Sequence, residues 1–588
     1  MRAKPTSIGL GVGLWLLVTA IPGCVGPLDN YGGTDAALRN AVVVEHRKRL
    51  LAMADEQGGG LVVEVQRDTS DVEQRLDDER MKELNEMSGA QAYVDRDVEP
   101  GTDLAGAKDV ELVRLSLDEA IAQAVAANLD LQVARLTPKV AEQQVIQAAA
   151  AFDAVAFGSA DWQKLDTPQP EGTIPALSND VQSENFTITT GVRKLTTTGG
   201  SFQAQVSGAF EEREPSFFAV TNYNNASVEF SGIQPLLRNF GSDVNTAQIT
   251  LAKNAEADAR ALLRQTMNDL VRNVEEGYWN LYLAQRQVLI QQRLLDRTIA
   301  ERDRLVERAD FDVSPVRITE ANSRVELRRS DLIRVRSQVR TASDQLKRLI
   351  NSDELPLADE TLVLPTDAPV DSPVSFSLLD AITTAIEQRA ELQRALLAIS
   401  DAAVQQRLAD NATLPLLDLT AALAVNGLDE DNTTDAFGNL LEIDFVDYIL
   451  GLEFEQPLGN RSAEALLQQR KLERQQSVLA YRRDAQDVVL EVKVALRDVL
   501  TSYELVGATR AARWAAADSL RSINVQEDVG VALTDEFLLD LKLNAQERLA
   551  DAEFQEAQAL ANYMTAIAEL YRAQGVLIEQ YGIEVEDD

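Results

Sequence analysis

Histidine and cysteine are almost missing from this chain. Its 588 residues contain one histidine, His46, and one cysteine, Cys24. Histidine-based acid–base catalysis would rest on His46 alone, in a polar stretch where a solvated surface histidine is the simpler interpretation. A disulfide within the chain and a Cys/His zinc site are both excluded. We therefore expect neither a metal site nor a cofactor.

Basic residues are also scarce, with 56 Lys and Arg against 94 Asp and Glu and a net charge of −38. Binding to nucleic acid needs a basic surface, so nucleic acid is not expected as a partner. The acidic excess is typical of a solvated or cation-facing surface. The sequence also shows no phosphate-binding glycine loop and no nucleophile with a histidine base, so an enzyme is the class it favours least.

The apolar run near the N-terminus is too short to span a bilayer. IGLGVGLWLLVTAI has about 14 residues, whereas a transmembrane helix needs roughly 20. Two basic residues before it and small residues after it predict a signal peptide over 1–23. Cys24 then resembles the acylated first residue of bacterial lipoproteins, although Ile21 and Pro22 depart from that pattern. A general secretory signal with an incidental cysteine remains the alternative.

An acidic extension over 24–111 separates this signal from the rest of the chain. It has little hydrophobic periodicity and includes a QGGG stretch at 57–60. Such composition is typical of polypeptide that cannot bury enough apolar surface to fold. We expect the extension to be loosely ordered, with one short helix.

The remainder of the chain is a duplication. SLDEAIAQAVAANLDLQVARL at 116–136 aligns with SLLDAITTAIEQRAELQRALL at 377–397, at an offset of 261 residues. QPLLRNFGSDVNTAQI at Gln234 and QPLGNRSAEALLQQ at Gln456 are only 222 residues apart, so the first copy carries 39 residues more. Self-similarity of this kind predicts repeated structural units. The predicted units are a first repeat over 112–356, a linker over 357–375, a second repeat over 376–580 and an acidic tail over 581–588.

Within each repeat the hydrophobic period changes in the same order. An amphipathic helix, at 117–150 and at 378–411, precedes segments of alternating apolar and polar residues. The alternation predicts strands with one apolar face, over about 152–236 with an extra hairpin and over about 414–457. A soluble sandwich would show the same alternation, so it does not by itself indicate a membrane barrel.

Each Gln-Pro-Leu marks the change from strand to helix. Proline cannot donate to a sheet ladder and its fixed φ suits a strand end. Beyond it the period becomes helical, and from 242 to 309 a single helix would be roughly 100 Å long. Returning helices at 316–350 and 535–573 complete the two repeats.

In this order and spacing, the motifs resemble the TolC-type outer-membrane efflux proteins, in their lipoprotein branch, over about residues 112–580. The resemblance rests on the paired helix openings, the two Gln-Pro-Leu sites, KLTTTGGSF, VEEGYWNLYLAQ, VSPVRITEA and AIAELYRAQG. It implies a mainly α fold with β, built from two helix-hairpin-helix-helix repeats per chain. Three copies would form an outer-membrane β-barrel continued by a long periplasmic α-helical barrel.

The family's usual barrel takes two strands from each repeat. We expect the 39 extra residues to form an external or extended hairpin rather than to widen the barrel.

The resemblance also implies a duct without chemistry of its own. As a homotrimer in outer-membrane lipid, extending into the periplasm and anchored at Cys24, the protein would belong to a tripartite efflux or type I secretion system. It would receive substrate from a periplasmic adaptor protein and an inner-membrane transporter.

In the family, acidic residues at the helix turns line the periplasmic mouth of the duct. In this chain Asp312 replaces the usual turn glycine, and Arg317 stands where an acid is common, so a purely acidic ring is not expected. The corresponding turns supply the gate candidates Asp310, Asp312, Arg317, Asp528, Asp535, Glu536 and Asp540.

Two other readings remain open. An exported coiled-coil scaffold explains the helical seams and the acidity, but not the alternating segments or their repeated placement. A periplasmic adaptor without channel activity also carries a lipid-linked cysteine and a helical hairpin. Its compact core is not evident in this sequence.

Overall fold

The computed structural model describes residues 44, 48, 62–64, 70–93, 110–168, 180–214, 222–308, 313–528 and 535–583. Its predominant elements are long helices in antiparallel pairs and one six-stranded sheet. Cys24, Asp310 and Asp312 lie outside the described residues, as does the predicted signal peptide.

The first repeat begins with a short strand and a broken helix and continues into four strands and two long helices. Its elements are β2 (Leu112–Leu115), α3 (Leu117–Ala127), α4 (Leu129–Ala149), β3 (Val155–Pro168), β4 (Asp180–Leu195), β5 (Ser201–Glu214), β6 (Asn222–Pro235), α5 (Ser242–Asn245), α6 (Ala247–Glu307) and α7 (Pro315–Ile350).

The second repeat follows the same order with two strands instead of four. Between the repeats lie β7 (Leu362–Pro365) and β8 (Ser375–Ser377); upstream lie β1 (Val62–Glu64), α1 (Asp71–Arg75) and α2 (Asp78–Met87). The second repeat comprises α8 (Leu378–Gln388), α9 (Ala390–Asn411), β9 (Leu416–Asp429), α10 (Thr433–Leu440), β10 (Phe445–Glu455), α11 (Arg461–Asp528), α12 (Asp535–Gln574) and α13 (Leu577–Gln580).

Both opening helices begin at a serine cap and then break. The Ser116 side chain accepts the Glu119 N–H in a full capping box, and the Ser377 side chain accepts the Asp380 N–H. The single helices expected over 117–150 and 378–411 are each divided, at Asn128 and at Arg389. Asn128 starts a new helix because its Oδ1 accepts the Leu131 N–H at 2.9 Å.

The six strands form one antiparallel sheet in the order β10-β9-β6-β5-β4-β3. The two repeats join within it, since β6 of the first repeat pairs with β9 of the second. The extra hairpin of the first repeat is part of this sheet, because β4 pairs along its length with β5. The expectation of an external hairpin is therefore wrong for this chain: the alternating apolar side chains continue the sheet rather than leave it.

The chain leaves the sheet at Pro235 in the first repeat and at Glu455, two residues before Pro457, in the second. β6 ends at Pro235, and the Leu236 N–H still donates to the Leu417 carbonyl at 2.7 Å before the chain turns into α5 and α6. At 61 and 68 residues, α6 and α11 are about 92 and 102 Å long. None of the helices among the described residues combines the length and the apolar character that crossing a membrane requires.

Part of the N-terminal extension is packed against these helices. Leu84 of α2 is fully buried in a cluster with Trp514. The Arg513 guanidinium donates to the Ser88 carbonyl at 3.1 Å and to Asn85 Oδ1 at 2.9 Å. Gly89 has φ +95°, and a Cβ there would lie 3.0 Å from Arg513 Nη1, so glycine is required.

Residues 70–93 are therefore ordered, contrary to the loose order expected from their composition. Their few apolar and aromatic side chains each dock on a preformed helical surface, which periodicity within the segment cannot reveal.

Candidate functional site

One face of the six-stranded sheet is apolar from one edge to the other. The strand registers place Val206, Val228, Val425 and Val446 in one row across four strands. We call this side the apolar face. Its large side chains are Trp162, Phe186, Ile188, Val192, Phe202, Val206, Phe210, Val228, Phe230, Leu419, Leu423, Val425, Val446, Tyr448, Leu450, Leu452 and Phe454.

Much of this apolar face is exposed. Leu450 and Tyr448 on β10 keep 80% and 79% of their surface, and Trp162 on β3 keeps 63%. Helix α10 covers one end, where Ala436 and Leu440 form a small buried cluster with Ala226. Exposed apolar surface this extensive on a sheet marks contact with lipid or with another protein.

The height of the apolar face matches a bilayer. From Phe202 to Phe210 the strand runs about 27 Å, at roughly 3.4 Å per residue. If the strands are tilted by about 40°, this length spans about 21 Å along the membrane normal. That height is close to the roughly 25 Å apolar band of membrane barrels.

The opposite face, which we call the polar face, carries hydrogen-bonded polar side chains. Gln205 Nε2 donates to Glu229 Oε2 at 2.7 Å, and the Ser207 and Ser227 hydroxyls lie 2.6 Å apart. Asn426 Nδ2 donates to Asp447 Oδ2 at 2.7 Å. These pairs join side chains of adjacent strands across the sheet. A polar face of this kind indicates a surface that contacts water.

The helices show a second kind of uncovered surface. In the second repeat, α9 and α12 pack on their own long helix α11 and also on α6 of the first repeat. Their first-repeat equivalents, α4 and α7, pack on α6 and expose apolar side chains on other faces. Helix α11 likewise exposes apolar residues. The exposed sets are Leu129, Val133, Leu136 and Val140 on α4, Val316, Leu327 and Ile333 on α7, and Leu472, Leu479 and Leu490 on α11.

The duplication explains which partner these surfaces lack. If α9 and α12 of the second repeat cover α6, then the equivalent contact is α4 and α7 of a first repeat against α11. The exposed apolar side chains lie on the three helices that this contact would join. A head-to-tail association of copies would supply that contact, and such associations close into a ring when the rotation between copies allows it.

The turn-forming ends of the long helices hold the remaining gate candidates. Asp528 is the last residue of α11, Asp535 and Glu536 open α12, and Arg317 lies in the first turn of α7. Asp540 is exposed on α12, and its carboxylate lies 3.5 Å from the Arg324 guanidinium on α7. The structure thus places these residues at the same end of the helices, and Asp540 meets a cation there.

A buried ion cluster at this end was not predicted. The Lys542 ammonium lies 2.9 Å from the Glu301 carboxylate and 2.6 Å from the Glu527 carboxylate. The three residues belong to α12, α6 and α11, so the cluster ties the second helical hairpin to the first repeat. Leu305, Leu539 and Leu543 form an apolar cluster beside it. No sequence signal links residues so far apart in the chain.

Metal binding has no support in the part of the chain that the structure describes. Groups of three or more His, Cys, Asp or Glu side chains arranged to hold an ion do not occur there. Asp540 instead lies beside Arg324, and Glu301 and Glu527 lie beside Lys542.

The sequence matches no family model and no curated protein at a significant level. Solved structures match the fold over most of the chain. The outer-membrane channel CmeC of Campylobacter jejuni has 15% identity and a TM-score of 0.57, covering 84% of this chain and 93% of CmeC. CusC has 17% identity and a TM-score of 0.56, covering 82% and 97%. The outer-membrane channel OprN has 15% identity and a TM-score of 0.56, covering 78% and 89%.

These likenesses agree with the duplicated order of helix, strands and paired long helices. The fold class expected from the sequence is thereby confirmed, and the chain has the fold of the TolC-type outer-membrane efflux channels.

Proposed function

We propose that this protein is the outer-membrane channel of an efflux or type I secretion system. The observation that carries the proposal is the exposed apolar face of the sheet, backed by a polar face and extended by helices of about 100 Å. An apolar band facing lipid and a polar side facing water are what a barrel wall requires. The named solved structures with this fold are outer-membrane channels, which supports the same assignment.

The functional unit is a homotrimer in this proposal. The uncovered helix surfaces on α4, α7 and α11 support a ring of copies, and the resemblance to the efflux proteins supplies the number three. Each copy contributes the contact that its neighbour lacks. In outer-membrane lipid, such a ring leaves no sheet edge exposed, as the absence of water there demands.

Partners and substrate path follow from the same assignment. A periplasmic adaptor and an inner-membrane transporter would meet the helix ends, and substrate would leave through the barrel. A lipid anchor at Cys24 would hold the N-terminal extension at the inner leaflet of the outer membrane.

The gate of the proposed channel lies at the helix ends. Asp528, Asp535, Glu536 and Asp540 of one copy would meet their equivalents around the threefold axis, with Arg317 nearby and Asp310 and Asp312 in the preceding turn. Like charges brought together favour cation entry. The Asp535→Ala, Glu536→Ala double variant is expected to lower cation selectivity in planar bilayers, and unchanged selectivity would remove these two residues from the gate.

The buried Lys542 would hold this gate closed by tying α12 to α6 and α11. Lys542→Met removes the buried cation beside the Glu301 carboxylate and leaves the exposed Arg304 guanidinium 3.6 Å from it. The loss should therefore lie below the about 3–5 kcal/mol of a fully unpaired buried charge. We expect trimers of the variant to open more often and to conduct more current. Lys253→Met, at an exposed lysine of α6, is the matched control. Unchanged opening in assembled Lys542→Met trimers would contradict the role.

The proposal as a whole is tested by density fractionation of cells and by bilayer conductance of the purified full-length chain. Outer-membrane location with stepwise conductance is expected. A periplasmic protein without conductance would overturn the proposal and leave an exported helical scaffold or adaptor.

A further inference from the structure

The strand count per chain departs from two strands per repeat. The first repeat contributes β3, β4, β5 and β6, and the second contributes β9 and β10, all in one hydrogen-bonded sheet. The added strands continue the apolar face without a break, since Trp162 lies opposite Phe186, and Phe186 opposite Phe210. They also continue the polar face, because Thr189 lies opposite Ser207. The added hairpin therefore has the apolar face and the polar face that a barrel wall requires.

The two edges of this sheet are suited to each other. The β6–β9 ladder joins the first repeat to the second within a chain, and the equivalent junction would join β10 of one copy to β3 of the next. In an antiparallel sheet of six strands, the first and last run in opposite directions, so this junction is again antiparallel. With 14 and 11 residues, both edge strands are long enough to cross a bilayer when tilted.

We infer that three copies close an eighteen-stranded barrel, wider than the twelve-stranded barrel that two strands per repeat would give. The inference rests on the proposed channel function and on its threefold assembly. An even strand number and an unbroken antiparallel ladder satisfy every backbone group in lipid, as no open edge can.

The extra strands set the width of the barrel. Strands about 4.8 Å apart and tilted by about 40° give a backbone-to-backbone diameter of about 36 Å for eighteen strands, against about 24 Å for twelve. Barrels of 16–18 strands keep an aqueous channel, whereas much smaller ones fill with side chains. The lumen here is lined by the polar face, with Gln203, Gln205 and Glu229 among its residues.

The width bears on what the channel carries. After side chains, a lumen roughly 20 Å across admits bulky hydrated solutes, including polypeptide segments with residual structure. The barrel would then be no size filter, and the limit on cargo would lie at the helix ends.

Cysteine cross-linking in the full-length trimer tests the strand count. Single cysteines on the polar face of β3, at Ser159, Asp161 or Gln163, are combined with Asp447→Cys or Glu453→Cys on β10. Copies are expected to link through oxidation into covalent dimers and trimers. The matched set places Ser207→Cys or Ala209→Cys on β5 against the same β10 positions, which would lie together only if β3 and β4 were folded away from the wall.

The outcomes separate the inference from the proposed function. Links between β3 and β10 support eighteen strands. Links between β5 and β10, or none in a trimer that still conducts, overturn the wider barrel and leave the channel intact. A chain that neither reaches the outer membrane nor conducts overturns the channel itself.

A deletion gives an independent measure of width. Removing 180–214 takes out β4 and β5 and leaves β3 to pair with β6, so four strands remain per chain. Sized polyethylene glycols added on the barrel side should then be excluded at a smaller size than in the intact channel, because the backbone-to-backbone diameter falls by about a third and the lumen by more. An unchanged cut-off in a deletion trimer that conducts would overturn the inference, and the cross-links decide the question if the deletion does not assemble.

Discussion

The two repeats hold the same joint with different chemistry. In each, the opening helix breaks after 11 residues, at Asn128 in the first repeat and at Arg389 in the second. Asn128 Nδ2 donates to the Leu349 carbonyl at 2.8 Å, and Arg389 Nη1 donates to the Ala573 carbonyl at 3.2 Å. Each acceptor is the penultimate residue of the returning helix in its own repeat. Duplication has kept the joint while its side chain has changed.

The difference lies in what else each joint reaches. Asn128 is neutral and caps α4 of its own repeat. Arg389 pairs with Glu391 at 2.9 Å and with Glu491 of α11 at 2.8 Å, and Glu491 also pairs with Arg572. From Arg572 the charges continue through Glu569 to Arg272 on α6 of the first repeat. The second joint is thus connected by ion pairs to helices of both repeats. It lies where the second repeat packs against the first.

Replacing Arg389 is expected to have the largest effect. Arg389→Met removes a buried cation from two carboxylates and should lower the free energy of unfolding by about 3–5 kcal/mol. Denaturant unfolding of the solubilised protein measures this loss. Arg394→Met, which breaks a half-exposed pair with Asp258, is the control and should cost less than about 1 kcal/mol. A smaller loss at Arg389 than at Asn128 would break the comparison.

A second contrast concerns carboxylates on the two long helices. Glu491 of α11 is paired with Arg389 and Arg572, whereas Glu275 of α6 is buried and hydrogen-bonded by Tyr581. Burial raises the pKa of Glu275 to about 7, with the Tyr581 hydrogen bond opposing the shift. On α6 a buried carboxyl group is thus readily protonated, whereas on α11 Glu491 is held by two guanidinium groups.

Stability should therefore depend on the protonation of Glu275. A glutamate in the unfolded chain has a pKa of about 4.3. Between about pH 4.5 and 7, Glu275 therefore binds more protons in the folded chain than in the unfolded one. The free energy of unfolding should fall as pH rises through this window, by up to about 3 kcal/mol, and be regained on acidification to about pH 4.5. Glu275→Gln should reduce this slope, and the part due to Glu553, whose pKa burial also raises, should remain. If the wild type and the variant show the same slope in thermal unfolding between pH 4.5 and 7, Glu275 does not cause it.

Removing the neutral joint should cost less. Asn128→Ala deletes the N-cap of α4 and the hydrogen bond to the Leu349 carbonyl, a loss of about 1–2 kcal/mol in unfolding free energy. Asn128→Asp keeps the cap acceptor but loses the amide donor, so it separates the two contributions. An Asn128→Ala cost equal to that of Arg389→Met would show that charge adds nothing at the second joint.

Local patterns in the sequence predicted what depends on near neighbours. The serine caps at Ser116 and Ser377 follow from residues a few positions apart, as do the strand ends at Pro235 and just before Pro457 and the returning helix up to Ile350. The break at Asn128 was missed, although an asparagine inside a helical pattern is a known cap signal. The helix break at Arg389 has no such local sequence signal.

Long-range contacts could not be predicted in this way. Lys542 meets Glu301, and Arg513 meets Ser88, across hundreds of residues with no motif joining them. The strand count was also beyond local patterns, because alternation gives strands but not which edge a hairpin joins. Asp540 lies near the start of α12, and its partner Arg324 comes from the other repeat.

The smallest effect is expected at the pair of Arg324 and Asp540, an exposed contact between the two repeats. Arg324 lies 3.5 Å from Asp540 and 4.0 Å from Glu547, and Arg328 lies 2.8 Å from Glu547. Exposed pairs of this kind contribute about 0–1 kcal/mol and are screened by salt. Arg324→Ala should therefore change the unfolding free energy by less than about 1 kcal/mol. The difference from wild type should shrink between about 0.05 and 1 M salt, because the screening length shortens roughly four- to fivefold over that range. Arg324→Lys is the matched control, because it keeps the charge. A cost above about 2 kcal/mol that persists in salt would mean that buried charges hold the helix ends of both repeats. The two repeats would then not differ in this respect at the helix ends.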